Sequence, residues 1–264
     1  MSLIDVQRSE GIAIVRLNRP EKRNAMSFDL LRELLACGRT LARDRMLRGV
    51  VLAGHGASFS AGIDLGELAN PRNRWTALWQ LLKPGRNLFQ NAFLVWRELP
   101  VPVIAAVHGH CFGAGMQLAL AADIRIATPD AQLSIMEARW GLVPDMGLSR
   151  SLRGLLPLDV AKELTFSARV IDGQTAHSLG LVTHVDADPL SRALALAGEF
   201  AERSPDAVLA AKRVLDAMAG ASVGRSLALE RRWQLRLLRS RNAAITRARG
   251  KDPTTPWAPR QYRD

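Results

Sequence analysis

The stretch Val101-Pro102-Val103-Ile104-Ala105-Ala106-Val107-His108-Gly109-His110-Cys111-Phe112-Gly113-Ala114-Gly115-Met116-Gln117-Leu118-Ala119-Leu120-Ala121-Ala122-Asp123-Ile124-Arg125-Ile126-Ala127 decides the fold. Val101 to Val107 is an apolar run of strand length. Glycines punctuate 109 to 115, Met116 to Ala122 favours a helix, and Ile124 to Ala127 returns to a strand. Strand, loop, helix, strand is the order of a mostly parallel sheet covered by helices, an α/β fold.

The same pattern extends upstream. Gly49 to Gly54 is a buried strand bounded by glycines, followed by a loop that enters a short helix before Asn70. A longer helix is expected from about Trp75 to Leu99, broken by Pro100 and Pro102. Val6 to Leu17 reads as two strands joined at Glu10-Gly11, and Asn18-Arg19-Pro20 ends the second. Ser27 has the chemistry of an N-cap, and Leu30, Leu31, Leu34, Leu35, Leu41 and Ala42 behind it repeat at helical spacing. Downstream of about residue 156 the pattern is nearly all helical, except for Leu181 to Val185. A soft boundary near residue 200 separates a core, 1–200, from a Leu- and Arg-rich helical region, 201–264, whose Pro253, Pro256 and Pro259 mark an irregular tail.

A chain of 264 residues, 48% hydrophobic and 23% charged, can bury a substantial core. No apolar run has the length of a membrane span, and the first residues lack a secretory signature. Two cysteines, Cys37 and Cys111, suit a reducing compartment, so a cytoplasmic location without membrane association is expected. The net charge of +11 is uneven: from Ala201 onward 14 Lys/Arg face 6 Asp/Glu. Such a surface attracts polyanions, or is simply a solvated helical face. Binding of RNA would need aromatic platforms among the cations, and this region has only Trp233, Trp257 and Tyr262. No nucleic-acid partner is therefore expected.

Two glycine-containing segments carry the chemistry: Phe59-Ser60-Ala61-Gly62-Ile63-Asp64-Leu65 and His108 to Leu118. Each follows a buried strand and enters a helix. That arrangement aims unpaired backbone N–H groups into a crevice. Two such groups on one oxygen form an oxyanion hole. For either segment alone, glycines that merely shape turns are the simpler reading.

In order and spacing these segments resemble the crotonase superfamily, the enoyl-CoA hydratase/isomerase family. The resemblance also includes Leu17-Asn18-Arg19-Pro20-Glu21-Lys22-Arg23-Asn24-Ala25-Met26 and the run from Met136 to Arg150. It implies a spiral of β-β-α units with a helical C-terminal oligomerisation region, and a homotrimer or hexamer. It implies an acyl-CoA thioester substrate and no separate cofactor, coenzyme A being part of the substrate. The N–H groups of Ile63 and Ala114 would hold the thioester oxygen. Lys22, Arg23, Ala25, Ala61, Gly62, Asp64 and Leu65, with Gly113, Gly115 and Leu142, would line the substrate.

Hydratases of this family use two glutamates around a water. One matches Glu137; the other matches Gln117, which orients water but cannot take its proton. Asp145, eight residues after Glu137, stands where dienoyl-CoA isomerases carry an acid. The resemblance therefore favours a double-bond shift with Glu137 and Asp145 as base and acid, over hydration by Glu137 alone. A turn residue at Asp145 and a helix-start residue at Glu137 are the plain alternatives. His108, His110 and Cys111 lack a second ligand cluster, so no metal is expected. No Walker or dinucleotide-binding loop is present. Trp75, Trp79, Phe89 and Phe93 fit core packing or the wall of an acyl pocket.

Overall fold

The computed structural model describes residues 2–262. It begins with β1 (Ile4–Ser9) and β2 (Ile12–Leu17), antiparallel across a turn where Glu10 and Gly11 both have positive φ, as a tight hairpin requires. Ser27 caps α1 (Phe28–Arg43) by accepting the Leu30 N–H, and Leu30, Leu31, Leu34 and Leu41 of α1 are buried. Each such side chain contributes roughly 1.5–3 kcal/mol on burial. Then come β3 (Gly49–Gly54), α2 (Leu65–Ala69), α3 (Pro71–Leu82), α4 (Leu88–Arg97), β4 (Val103–Val107), β5 (His110–Phe112), α5 (Ala114–Ala121), β6 (Ile124–Ala127) and β7 (Gln132–Ser134). A 3-10 turn at Glu137–Trp140 precedes α6 (Leu148–Ser151), α7 (Leu158–Ser167), β8 (Ile171–Asp172), α8 (Gly173–Ser178), β9 (His184–Val185) and α9 (Pro189–Ala201). The chain ends in α10 (Pro205–Met218), α11 (Val223–Leu238) and α12 (Arg241–Arg249).

The main sheet has the order β1-β2-β3-β4-β6-β9, parallel from β2 onward; β5-β7-β8 form a second, small sheet. Strand alternation divides the main sheet between two layers. Val50 and Leu52 join the core shared with α1, α4 and α5, while Val51, Ile104 and Ile126 pack against Ala193, Leu196 and Ala197 of α9. The second glycine segment thus leaves the carboxyl end of a central strand, where open α/β sheets place their sites.

Two expectations are corrected. The helix expected over Trp75 to Leu99 is two helices. Lys83-Pro84-Gly85 interrupts it, with Gly85 at φ +78°, and a capping box of Asn87 and Gln90 restarts it. The region after residue 156 also contributes β8, a two-residue strand paired to β7. Residue 200, near which a boundary was expected, lies in the last turn of α9, and Pro205 opens α10. Leu209, Ala210 and Trp233 form a separate C-terminal cluster. Among the described residues no helix is long and apolar enough to cross a membrane.

Candidate active site

The first glycine segment is held from both sides. Met26 N–H donates to Gly62 O at 2.7 Å and Asp64 N–H to Met26 O at 3.0 Å. Ser60 N–H donates to His110 O and accepts through its carbonyl from Phe112 N–H. Behind it, fully buried Asn24 adopts a left-handed conformation (φ 56°) and donates to His55 O and Ser58 O. These bonds press Gly62 against the start of α5. A Cβ at Gly62, whose φ is +96°, would sit 2.8 Å from Phe112 O and 3.6 Å from Ala114 N. Only glycine permits that approach.

The result is two adjacent amides, Ile63 and Ala114, whose N–H groups donate to no other group among the described residues. Ala114 opens α5 and has the orphan N–H of a helix start. Ile63 lies just before Asp64, the N-cap of α2. This is the geometry that can hold a developing oxyanion.

Glu137 opens the 3-10 turn after β7. Its Oε1 accepts from Gln117 Nε2 at 2.6 Å, and a Cβ at Gly113 would lie 3.5 Å from that oxygen. Its Oε2 is buried and has no hydrogen-bond partner among the described residues. Gln117 is fixed in turn by Met146 N–H, which donates to its amide oxygen at 2.9 Å. Burial raises the Glu137 pKa above the ordinary carboxylate range and the charge of Asp145 adds to this, while the Gln117 bond opposes it. Asp145 is raised as well, also by burial.

Both carboxyls border one cavity of about 400 Å³. Phe28, Ala77, Leu81, Phe89, Met136 and Met146 make its walls apolar; exposed Trp140, Leu142 and Val143 form part of its rim. Of the residues singled out by sequence, Ala61, Gly62, Ile63, Leu65 and Gly113 line it on one side. Ala114, Gln117, Glu137, Leu142 and Asp145 complete it.

Five others lie elsewhere. Asp64 turns to Arg19 at 2.6 Å; burial would raise its pKa, but the bonds from Arg19 and Gly66 N–H outweigh this and hold it low. Ala25 O accepts from the same guanidinium, and Arg23 O accepts from Ala61 N–H. Lys22 is exposed in the adjoining 3-10 turn. Gly115 is a packing glycine, since a Cβ there would meet Ser60 O at 2.7 Å.

Phe89 reaches the cavity, Phe93 is in the core, and Trp75 and Trp79 are exposed on α3. His110 bonds Ser58, His108 bonds Gly56 O, and Cys111 is buried against Met116; among the described residues no three ligand-type side chains cluster. Arg19, Asn24 and the Met146 N–H are site-building groups that the sequence reading did not single out. The first two lie inside a quoted motif; the third has no local signal.

A β-β-α spiral that sets paired amide donors beside half-buried carboxyls is a crotonase-type fold. The family described as Enoyl-CoA hydratase/isomerase matches residues 7–246, and the chain belongs to this family of acyl-CoA enzymes. It is 39% identical to the mitochondrial Delta(3,5)-Delta(2,4)-dienoyl-CoA isomerase of Mus musculus over 241 residues, 86% of this chain and 72% of that protein. It is 34% identical to the mitochondrial methylglutaconyl-CoA hydratase of Mus musculus, covering 80% of this chain and 67% of that one. A Thermobifida fusca YX structure in complex with CoA superposes with a TM-score of 0.81 at 33% identity, over 93% of this chain and 95% of the other. These relatives give an RNA-binding role no support, and the mitochondrial names of the mouse proteins give none to the cytoplasmic expectation.

Proposed function

We propose that this enzyme isomerises dienoyl-CoA thioesters by passing protons through Glu137 and Asp145. The observation that carries the reading is that both desolvated carboxyls border the one apolar cavity onto which Ile63 and Ala114 also open. The likeness to a dienoyl-CoA isomerase supports it. Two like charges in an apolar cavity titrate apart, so one group is ionised while the other keeps its proton. The charge of Asp145 opposes ionisation of Glu137, but of the two carboxyls only Glu137 has a side-chain donor among the described residues, Gln117, to stabilise its ionised form, and this supports Glu137 as the base. Its place beside Gly113, next to the Ala114 amide, supports a role at the carbonyl end of the acyl chain.

With a 3,5-dienoyl-CoA, Glu137 takes a proton from C2 and the electron pair moves onto the thioester oxygen. The N–H groups of Ile63 and Ala114 hold that charge; one such donor is worth about 3–4 kcal/mol. As the pair returns, the double bonds settle at 2 and 4 and C6 takes the proton of Asp145. Glu137 is then protonated and Asp145 ionised, and proton exchange resets them. CoA leaves with the product, and no other cofactor takes part.

Hydration of 2-enoyl-CoA is the second reading, supported by the likeness to a hydratase. Against it, Gln117 is engaged at both ends, by Glu137 and Met146, and cannot accept a water proton. The exposed Val223, Leu227, Leu235 and Leu238 of α11 support reading the C-terminal region as the assembly surface of a trimer or hexamer. The test of function is a pair of rates on the wild-type enzyme. Formation of the conjugated 2,4-dienoyl chromophore should exceed 2-enoyl-CoA hydration at least tenfold in kcat/KM; faster hydration would overturn the proposal.

A further inference from the structure

A second cavity, about 720 Å³, lies between α10 and the segments that lead into β4 and β6, and shares no lining residue with the catalytic one. Its apolar side includes Leu155, Phe200, Val208, Leu215 and Met218. Its charged side has four cations, Arg97, Arg125, Arg153 and Lys212, against two carboxylates, Asp123 and Asp216.

The two carboxylates are already used. Lys212 pairs with Asp123 at 2.7 Å and Arg97 with Asp216 at 2.8 Å. Arg125 is 4% exposed and, among the described residues, its side chain donates only to carbonyls, Leu181 O at 2.8 Å and Ala122 O at 2.9 Å. Arg153 makes no ion pair or hydrogen bond among the described residues. The buried Ser151 also borders the cavity, and its hydroxyl bonds to nothing among the described residues. Asp123 also acts on Arg125 through space, and Arg153 is exposed, so the lining holds four cations against two carboxylates, with the Ser151 hydroxyl beside an apolar wall.

A buried guanidinium that no carboxylate contacts directly is costly, and an anion that pairs with it offsets the cost. Guanidinium groups match a carboxylate well, in bidentate geometry. The volume lies within the roughly 300–1,000 Å³ of small-molecule sites. We propose that this cavity binds an amphipathic carboxylate of the fatty-acid type, with its head toward Arg125, Arg153 and Ser151 and its chain along Phe200, Leu215 and Met218.

The test is calorimetric titration of the full-length protein with decanoate, with decan-1-ol as the uncharged control. Arg153→Glu and Leu215→Asp alter exposed positions of this cavity, and Leu142→Asp alters the rim of the catalytic one. One decanoate per chain is expected, weakened at least tenfold by each of the first two variants and unchanged by the third, with decan-1-ol at least tenfold weaker. Absence of binding overturns the proposal. So does equal affinity for the alcohol, or binding that Leu142→Asp weakens while Arg153→Glu and Leu215→Asp do not.

Discussion

Gln117 is engaged at both ends, and this fixes what it can contribute. Because its oxygen takes the Met146 N–H, its NH₂ group is the end that faces Glu137. An acid at this place would add a third like charge to the cavity; the amide instead donates to Glu137 and favours its ionised form. Gln117→Ala should lower kcat about tenfold with little change in KM, as expected when a reacting group loses its alignment. The pH profile separates this from a general loss of packing. The proposed mechanism needs Glu137 ionised and Asp145 protonated, so kcat/KM should be bell-shaped, with both limbs raised because burial raises both groups. Loss of the Gln117 donor destabilises ionised Glu137, so the acid limb should move to higher pH in the variant. A raised folded-state pKa also means that Glu137 destabilises the fold once pH rises through that value and not below its unfolded value. Glu137→Gln should therefore raise Tm by about 2–4 °C at pH 8 and change it little at pH 4, measured by calorimetry. Glu137, Asp145 and Gln117, which line one cavity, were legible in the motif from Met136 onward and in the second glycine segment. The bond from Met146 to Gln117 was not, because it joins groups 29 residues apart whose approach only the folded chain defines.

At the scale of elements, the site depends on how closely the loop before α2 and the start of α5 can approach. Gly62 sets that distance, and Met26 and Asp64 lock it through backbone bonds. Gly62→Ala would drive a methyl toward Phe112 O at a φ of +96° and separate Ile63 from Ala114. A loss of about 10²-fold in kcat is expected, with far-UV circular dichroism unchanged. The Arg19–Asp64 ion pair steadies the same loop from outside the cavity. The longer elements were legible: α1 from its leucine spacing, β3 and β4 from apolar runs, the β1–β2 turn from Glu10-Gly11. The small sheet was not, since β5 and β7 have three residues each and β8 two, too few to show a period of two. The division of α3 from α4 was written in Lys83-Pro84-Gly85, but the flanking helical spacing continues across it.

At the scale of the whole molecule, the C-terminal tail is strapped to the body near the entry of β3. Arg260 is 1% exposed, its backbone N–H donates to Arg45 O, and its guanidinium reaches Asp44 O at 3.1 Å. Arg260→Ala leaves buried carbonyls unpaired and should cost about 2 kcal/mol in urea denaturation. The uneven charge visible in the sequence lies on this helical region, whereas the catalytic cavity itself contains no cation in its lining. Composition thus described the surface, and motif order pointed to the residues that line the candidate site. The central claim is that Glu137 and Asp145 act as one proton-transfer unit. It is tested most directly by kcat on 3,5-dienoyl-CoA for Glu137→Gln, Asp145→Asn and the double variant. Groups that act as a unit are non-additive, so each single change should cost at least 10²-fold and nearly as much as both together. An Asp145→Asn enzyme that retains wild-type kcat while Glu137→Gln is inactive would contradict the account.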